Sequence, residues 1–356
     1  MNNSYATGGT VLERVLVVGA GLIGTSIALA LRQCGLAVEL ADRDPAAVQQ
    51  AVRRGAGRPV TGRIDVFDLA VIAVPPSSVV EVLQAAQRMV LAHCYTDVCS
   101  VKAPIVAQAR QRGCDLSTFV PGHPLAGSHE SGPFAAKADL FLGRCWALCV
   151  DDANNHAVDA ASEMVRMTGA SPYIIDPCSH DSAVALSSHA PHIVSSVLAA
   201  MFEGADPVPL RLAGRGVFDA TRIAGGPAEL WTDILIHNSS AVAGVLDAVA
   251  RRISIVAAHL HQVAGGAPAE LARPIREVLE EGNRGRELLL ENFAQTTSPI
   301  RWSPTPIPSA ENRRQRDQTW DAPARSDIGN VHLSNLDHTV IRTVNRSPKN
   351  DHAPTE

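Results

Sequence analysis

Residues 15–35 read VLVVGAGLIGTSIALALRQCG, a short β-branched run that leads into a glycine-rich turn and then into a helical pattern. The glycines Gly19, Gly21 and Gly24 have the spacing of a turn between a strand and a helix. The first glycine permits a tight turn, the second lets a phosphate approach the backbone, and the third allows the helix to pack closely on the strand. The stretch therefore predicts a phosphate-binding turn at the amino terminus of a helix.

An acidic residue at the end of the next strand makes this pattern more specific. The run AVEL is followed by Asp42, where a carboxylate would accept hydrogen bonds from both hydroxyls of an adenosine ribose. With Leu22 and Ile23 opening the helix, the unit predicts an NAD site. The charge of Asp42 would repel the 2′-phosphate of NADP, although Arg43 beside it would partly offset that repulsion. The alternative is a glycine turn that only packs two elements beside an unrelated acid.

Hydrophobic periodicity divides the chain into three parts. Up to residue 176, short β-branched runs such as LAVIAV and CWALCV alternate with helical patterns, which predicts a mostly parallel, doubly wound sheet of the Rossmann type over residues 12–176. Apolar residues then recur at helical spacing, so we expect an all-helical domain over residues 177–293. Its predicted helices are Ser182 to Phe202, Leu230 to Ala258 and Leu271 to Phe293. Residues 294–356 have no period and are predicted to be a disordered tail.

Composition limits the classes of partner. The formal net charge is -5 and charged residues make up 19% of the chain, so no basic surface for nucleic acid is expected. No stretch is expected to span a membrane, because the long apolar stretch Ala183 to Phe202 carries two histidines and a proline. The seven cysteines form no CxxC pair, which favours reduced thiols and a cytoplasmic protein; they are Cys34, Cys94, Cys99, Cys114, Cys145, Cys149 and Cys178.

Two motifs in the first domain carry polar groups suited to chemistry. His123 follows the strand-like run TFVPG, near the carboxyl ends of the predicted strands, where open α/β sheets bind ligands. Histidine is the commonest general base, and the alternative is a loop histidine that satisfies backbone groups between Gly122 and Pro124. Ser100 lies in the run CSVK and is either a site residue or the cap of a helix that begins near Lys102.

The helical domain adds histidines, an arginine and a tryptophan. His189 and His192 share one helical face, with Pro191 between them expected to kink the helix; a metal pair there would lack a third ligand, so no metal is predicted. Arg222 either binds a carboxylate or pairs with Asp219 one turn earlier. The tryptophan of the run LWTDIL, at helical spacing in an apolar segment, is typical of a core residue.

Taken in order, these motifs resemble the prephenate and arogenate dehydrogenases over about Val15 to Phe293. The resemblance rests on the glycine turn, DLAVIAVPP, CSVK, GHPLAGSHESG and SHAPH with TRIA and LW. It implies a dinucleotide-binding domain followed by a helical domain that forms a homodimer, with the active site in the cleft between them.

The same resemblance assigns roles to individual residues. His123 matches the catalytic histidine of the family, Ser100 the serine that orients it, and Arg222 the arginine that holds a substrate carboxylate. His192 matches a further active-site histidine, and Trp231 matches an aromatic residue near it.

The implied reaction is the NAD-dependent oxidative decarboxylation of prephenate to 4-hydroxyphenylpyruvate in tyrosine biosynthesis. NAD⁺ would accept a hydride from ring carbon C4 while His123 takes the hydroxyl proton and the ring carboxylate leaves as CO₂. Arogenate and 4-amino-4-deoxyprephenate would react by the same mechanism and are the alternative substrates. A non-catalytic NAD-binding regulator is the alternative from another class, against which the intact set of Ser100, His123 and Arg222 argues.

Overall fold

The structure, a computed structural model, describes residues 12–60, 66–127, 130–266, 268 and 273–297. The chain divides into two compact units between His180 and Asp181. Of the predicted tail, residues 298–356 lie outside the described residues. The last helix was predicted to end at Phe293 but continues to Thr297.

The N-terminal unit is built on a six-stranded sheet whose strands are all parallel and run in the order β3-β2-β1-β4-β5-β6. Its apolar strands β1 and β4 are almost fully buried, as expected for a parallel sheet with helices on both faces. The elements are β1 (Arg14–Val18), α1 (Leu22–Gln33), β2 (Ala37–Ala41), α2 (Pro45–Arg53), β3 (Arg58–Pro59), β4 (Phe67–Ile72), α3 (Pro76–Arg88), β5 (Ala92–Asp97), α4 (Ala103–Gln111) and β6 (Phe119–Val120).

This strand order determines where a ligand can bind. The chain returns from β3 to β4 on the opposite side of β1, so β1 and β4 are the neighbours at which the strand order reverses. Open α/β sheets bind ligands at the carboxyl ends of such strands, because loops on the two sides of the reversal leave a crevice there. The glycine turn follows β1 and therefore lies at this position.

The run CWALCV does not join the parallel sheet, contrary to the sequence prediction. It forms β8 (Cys145–Leu148) in a separate three-stranded sheet, paired antiparallel with β7 (Gly122–Pro124) and parallel with β9 (Ser171–Ile174). Pro121 separates β6 from β7, and since proline has no N–H to donate, the ladder with β5 ends at Val120. Helix α5 (Asn155–Met167) connects β8 to β9.

The second unit is helical, and the fold class predicted from the sequence is confirmed. Its elements are α6 (Pro177–Val184), which crosses the division between the units, α7 (Ala190–Ala200), α8 (Pro207–Leu212), α9 (Arg215–Thr221), α10 (Ala228–His237), α11 (Ser239–Ala264) and α12 (Arg273–Thr297). The predicted helix from Leu230 to Ala258 is two helices, because the chain leaves helical geometry at the buried residue Asn238.

Between α6 and α7 the chain forms a π-helical turn over Ala185–His189. Pro191 follows two residues later and has no N–H to donate to the preceding turn, so the normal helical hydrogen-bonding pattern cannot continue through this point. Wider turns of this kind occur often at functional sites. The turn ends at His189 and immediately precedes the helix that carries His192.

The run from α6 to α7 also differs from the sequence expectation about membranes. By length and composition the helical stretch Pro177–Ala200 could cross a membrane, with a mean hydropathy of 1.2. It carries three buried histidines, His180, His189 and His192, and such polar side chains are costly inside a bilayer. The core helix of a soluble protein can pass the same test of length and composition, and 33% of this window is buried in the structure.

Candidate active site

The first and third glycines of the turn have no room for a side chain. Gly19 has a φ of +107°, and a Cβ there would lie 2.2 Å from the carbonyl oxygen of Ala73. A Cβ on Gly24 would lie 2.0 Å from the carbonyl oxygen of Gly19. Both positions require glycine, because any larger residue would overlap backbone atoms of the turn or of the chain after β4.

The second glycine instead leaves open space at the start of α1. A Cβ on Gly21 would meet no heavy atom within 4 Å, and no side chain caps the helix. Leu22 and Ile23 form the first turn, where backbone N–H groups have no intrahelical partner. A pyrophosphate would accept hydrogen bonds from these groups and would be favoured by the helix dipole.

Asp42 directly follows β2, and its carboxylate is tied to the glycine turn. Its Oδ2 accepts a hydrogen bond from the backbone N–H of Ala20 at 2.6 Å, and its Oδ1 accepts one from Asp44 at 2.8 Å. Each carboxylate oxygen keeps a second lone pair, so both could still accept a ribose hydroxyl. The turn, the open helix end and this carboxylate therefore fit a bound NAD.

A buried ion pair joins the loop after β5 to the strand that carries the candidate histidine. Asp97 and Lys102 form a salt bridge, and both side chains are fully buried. Asp97 also accepts hydrogen bonds from the backbone of Cys99 at 2.9 Å and of Gly122 at 3.2 Å, while Lys102 Nζ donates to the carbonyl of Gly122 at 2.7 Å. The sequence analysis missed this pair. An acidic residue at the end of a strand and a lysine in the following loop could have indicated it.

Ser100 lies within this loop and does not act as a helix cap. Helix α4 begins at Ala103, its first flanking residue is Lys102, and no side chain caps it. The Oγ of Ser100 is buried and has no hydrogen-bond partner among the described residues. A buried hydroxyl without a partner is costly, which indicates a group that a ligand would complete.

His123 is half-buried on β7 and contacts a second histidine. Its Nδ1 lies 2.9 Å from Nε2 of His180, and the two rings meet edge to face at an interplanar angle of 76°. His180 lies on α6 and is 2% exposed. The sequence analysis did not select His180, because a single histidine near the start of an apolar helix is an ordinary core residue by pattern.

In the helical unit, two of the predicted site residues stack on each other. The rings of His192 and Trp231 are 3.5 Å apart between centroids and nearly parallel, with an interplanar angle of 13°. Gly226 backs this stack, since a Cβ there would lie 2.3 Å from Nε1 of Trp231. Burial lowers the pKa of His192 below its ordinary value, so the neutral imidazole is favoured.

The neighbouring histidine has a structural partner. The side-chain amide of Asn238 donates to Nδ1 of His189 at 3.1 Å and to the carbonyl oxygen of Asp181 at 2.8 Å. The ring of His189 also meets Trp231 edge to face. Among the residues that the structure describes, no group of three metal-binding side chains occurs.

Arg222 begins a short 3-10 turn directly after α9, and its side chain is exposed. No ion pair joins Arg222 to Asp219 or to any other described residue, so the local pairing considered from the sequence does not form. Ser195 on α7 donates to the carbonyl of Ala220 at 2.9 Å and thereby fixes the end of α9. The guanidinium is thus available for a carboxylate.

Comparisons with known proteins cover both units. The family model described as the prephenate dehydrogenase nucleotide-binding domain matches residues 27–174, and the one described as the prephenate dehydrogenase dimerization domain matches residues 176–274. The probable prephenate dehydrogenase NovF of Streptomyces niveus is 38% identical over 276 residues, which is 77% of this chain and 76% of that protein. The prephenate dehydrogenase of Bacillus subtilis is 30% identical over 70% of this chain and 71% of its own length.

Solved structures agree in fold. The prephenate dehydrogenase from A. aeolicus in complex with hydroxyphenyl propionate and NAD⁺ has a TM-score of 0.66 at 23% identity and covers 77% of this chain and 99% of its own. The arogenate dehydrogenase of Synechocystis has a TM-score of 0.59 at 25% identity with the same coverage. The N-terminal Rossmann-like unit is thus a nucleotide-binding domain that fits NAD, and the chain is an oxidoreductase that belongs to the prephenate dehydrogenase family.

Proposed function

We propose that this protein is an NAD-dependent prephenate dehydrogenase that forms 4-hydroxyphenylpyruvate and CO₂ in tyrosine biosynthesis. The observation that carries the proposal is the setting of His123. It stands beside the carboxyl end of β5, where Asp97 and Lys102 hold its strand, in a chain whose relatives across both domains are named prephenate dehydrogenases. We assign residues 12–176 to the dinucleotide-binding domain and residues 177–293 to the substrate and dimerisation domain.

The chain's own residues supply orientation and one base. Gly19, Gly21 and Gly24 with Asp42 would hold NAD⁺, which when bound supplies the acceptor for the hydride from ring carbon C4. His123 takes the proton from the C4 hydroxyl, and loss of the ring carboxylate as CO₂ leaves an aromatic ring. The buried hydroxyl of Ser100 would bond to the reacting groups, since it has no partner among the described residues.

Residues of the helical unit would bind the rest of the substrate. Arg222 is proposed to hold a substrate carboxylate, which suits an exposed guanidinium that has no ion pair with any described residue. The stacked pair of His192 and Trp231 would offer an apolar face to the substrate ring, and the neutral state of His192 suits that contact. The proposed reaction needs no metal from the protein. It needs the diene to be oriented against NAD⁺, His123 as the base, and a cationic group to pair with the substrate carboxylate.

Arogenate is the second candidate substrate. A Synechocystis protein of the same fold is an arogenate dehydrogenase, and a relative from Zymomonas mobilis, 30% identical over 67% of this chain, is named a cyclohexadienyl dehydrogenase. Arogenate carries an ammonium group where prephenate has a keto group, so a carboxylate near the substrate side chain would favour it. The 4-amino analogue of prephenate would react by the same steps.

The test is a direct assay. Purified protein is incubated with NAD⁺ and, separately, with prephenate, arogenate and 4-amino-4-deoxyprephenate, and the NADH absorbance is followed. Prephenate should give the highest kcat/KM, and the His123→Asn variant purified in parallel controls for contaminating dehydrogenases. A higher kcat/KM with another diene would reassign the substrate, and no turnover with all three would favour a non-catalytic NAD-binding regulator.

The protein is further proposed to act in the cytoplasm as a homodimer. All seven cysteines lie among the described residues and none of them forms a disulfide there, which suits a reducing compartment. The match to a dimerization domain and the exposed apolar side chains of the helical unit support self-association.

A further inference from the structure

The contact between His123 and His180 constrains which ring nitrogens carry protons. Two neutral imidazoles 2.9 Å apart form one N–H···N hydrogen bond, with one nitrogen as donor and the other as acceptor. In neutral histidine only one ring nitrogen carries a proton, and that choice is fixed by the hydrogen bond that the other makes. The contact therefore couples the tautomer of His123 to that of His180.

The contact also fixes the atoms involved. It joins Nδ1 of His123 to Nε2 of His180, and the rings meet edge to face with 5.1 Å between centroids. His180 is 2% exposed, so bulk water competes little for the bond. Because Nδ1 is engaged, Nε2 is the ring nitrogen of His123 that would serve as the base.

We propose that His180 is the positioning residue of His123: its Nε2 accepts a hydrogen bond from Nδ1–H of His123 and keeps the Nε2 of His123 unprotonated. This inference rests on the proposed function, in which His123 is the general base. The sequence resemblance had given the orienting role to Ser100. The Oγ of Ser100 has no partner among the described residues, whereas the His180 contact is present.

The same bond would also strengthen during the reaction. When Nε2 of His123 takes the substrate hydroxyl proton, the ring becomes an imidazolium, and its Nδ1–H bond to His180 becomes charge-assisted. One proton moves in this step, from the substrate hydroxyl to Nε2 of His123. From the other side, Lys102 and Asp97 hold the backbone of Gly122, so the imidazole is fixed both through its ring and through its strand.

Two substitutions at position 180 separate positioning from packing. His180→Leu has a similar size but no acceptor, and it should lower kcat on the order of 10–100-fold, the usual effect of removing the partner that orients a functional imidazole. The affinity for NAD⁺ and the KM for the diene should change little. His180→Gln offers an amide oxygen near the position of Nε2 and should recover most of kcat. The matched control is His261→Leu at an exposed histidine of α11, which should leave kcat unchanged.

Nuclear magnetic resonance tests the tautomer without any turnover. Long-range ¹H–¹⁵N spectra of histidine-labelled protein report which ring nitrogen is protonated, and the signal missing from His123→Asn assigns His123. We expect the Nδ1–H tautomer in the wild-type protein and a shift towards Nε2–H in His180→Leu. If His180→Leu does not fold, the tautomer of His123 in the wild-type protein and the kcat of His180→Gln together decide whether His180 positions His123.

The results are separable from those for the proposed function. An Nε2–H tautomer in the wild-type protein, or a wild-type kcat in folded His180→Leu, overturns the positioning role even if prephenate is oxidised. Absence of turnover with every diene overturns the proposed function, while the Nδ1–H tautomer and its loss in His180→Leu would still establish the hydrogen bond.

Discussion

The ring of His192 links the chemistry of a single side chain to the stability of the helical unit. Burial lowers its pKa below the ordinary value of 6.5, so the unfolded chain binds a proton more readily than the folded chain does. The stabilisation that follows is fully present above about pH 6.5 and is lost as the pH falls towards the lower folded pKa.

We therefore expect the free energy of unfolding to decrease as the pH is lowered from about 7 to about 5, in part through His192. Urea unfolding at several pH values across this range measures the free energy of unfolding. The His192→Gln variant should lose stability less steeply than the wild-type protein, and His261→Gln, at an exposed position, should keep the wild-type slope. Equal slopes in all three proteins would show that His192 does not contribute.

Gly226 gives a second prediction, because the His192 and Trp231 stack leaves no room beside it. Gly226→Ala would place a Cβ 2.3 Å from Nε1 of Trp231 and should cost about 1–3 kcal/mol of unfolding free energy. Gly225→Ala is the matched control, since its Cβ would meet nothing within 4 Å, and it should change stability by less than about 0.5 kcal/mol. Similar losses in both variants would mean that backbone freedom, rather than the stack, sets the cost.

The residues that were predictable from the sequence are those whose role follows from backbone geometry. Gly19 and Gly24 were identified by spacing alone, and the structure gives the steric reason for each. The sequence did not decide whether Ser100 is a helix cap or a site residue, because a serine before a helix has the same sequence pattern in both cases. His180 could not be predicted, since its contact joins residues that are far apart in the chain and have no shared pattern.

At the scale of secondary-structure elements, the buried pair of Asp97 and Lys102 connects the end of β5 and its following loop to β7. Lys102→Met would leave the Asp97 carboxylate buried without its partner and should cost about 3–5 kcal/mol. Arg110→Met is the control, because its pair with Asp152 is exposed by 60% and 43% and should contribute about 0–1 kcal/mol. Chemical unfolding measures both.

A combined variant sharpens that test. Adding Asp97→Asn to Lys102→Met removes the uncompensated charge and should recover part of the lost stability. If the single and double variants are equally unstable, the loss arises from the lysine side chain's packing and not from the orphaned carboxylate.

The secondary structure was predictable where one period continued through an element, and less so where a single residue interrupts it. The alternation of short strands and helices correctly indicated the parallel sheet. It could not show that Pro121 ends the pairing with β5 and sends CWALCV into a second sheet, because that depends on which strand edge is free. In the same way, the apolar period through Leu230 to Ala258 continues across Asn238, although the helix does not.

For the molecule as a whole, the apolar surface of the helical unit predicts self-association. Large apolar side chains lie exposed along α11 and α12, which isolated surfaces rarely tolerate; they include Ile253, Ile255, Leu260, Val263, Leu279, Leu288, Leu289 and Leu290. Sedimentation velocity at micromolar concentration should give a species of twice the mass of one chain. A monomer that stays folded and active under these conditions would contradict the dimer.

The most direct test of the account compares the wild-type protein with His123→Asn in initial-rate kinetics with prephenate and NAD⁺. Asparagine keeps a hydrogen-bonding side chain but cannot accept the proton, so kcat should fall by roughly 10²–10⁴-fold, the usual contribution of general base catalysis. The affinity for NAD⁺, measured by fluorescence quenching, should stay nearly unchanged. A wild-type kcat in His123→Asn, or loss of turnover together with NAD⁺ binding and the fold, would contradict the assignment of His123 as the catalytic base.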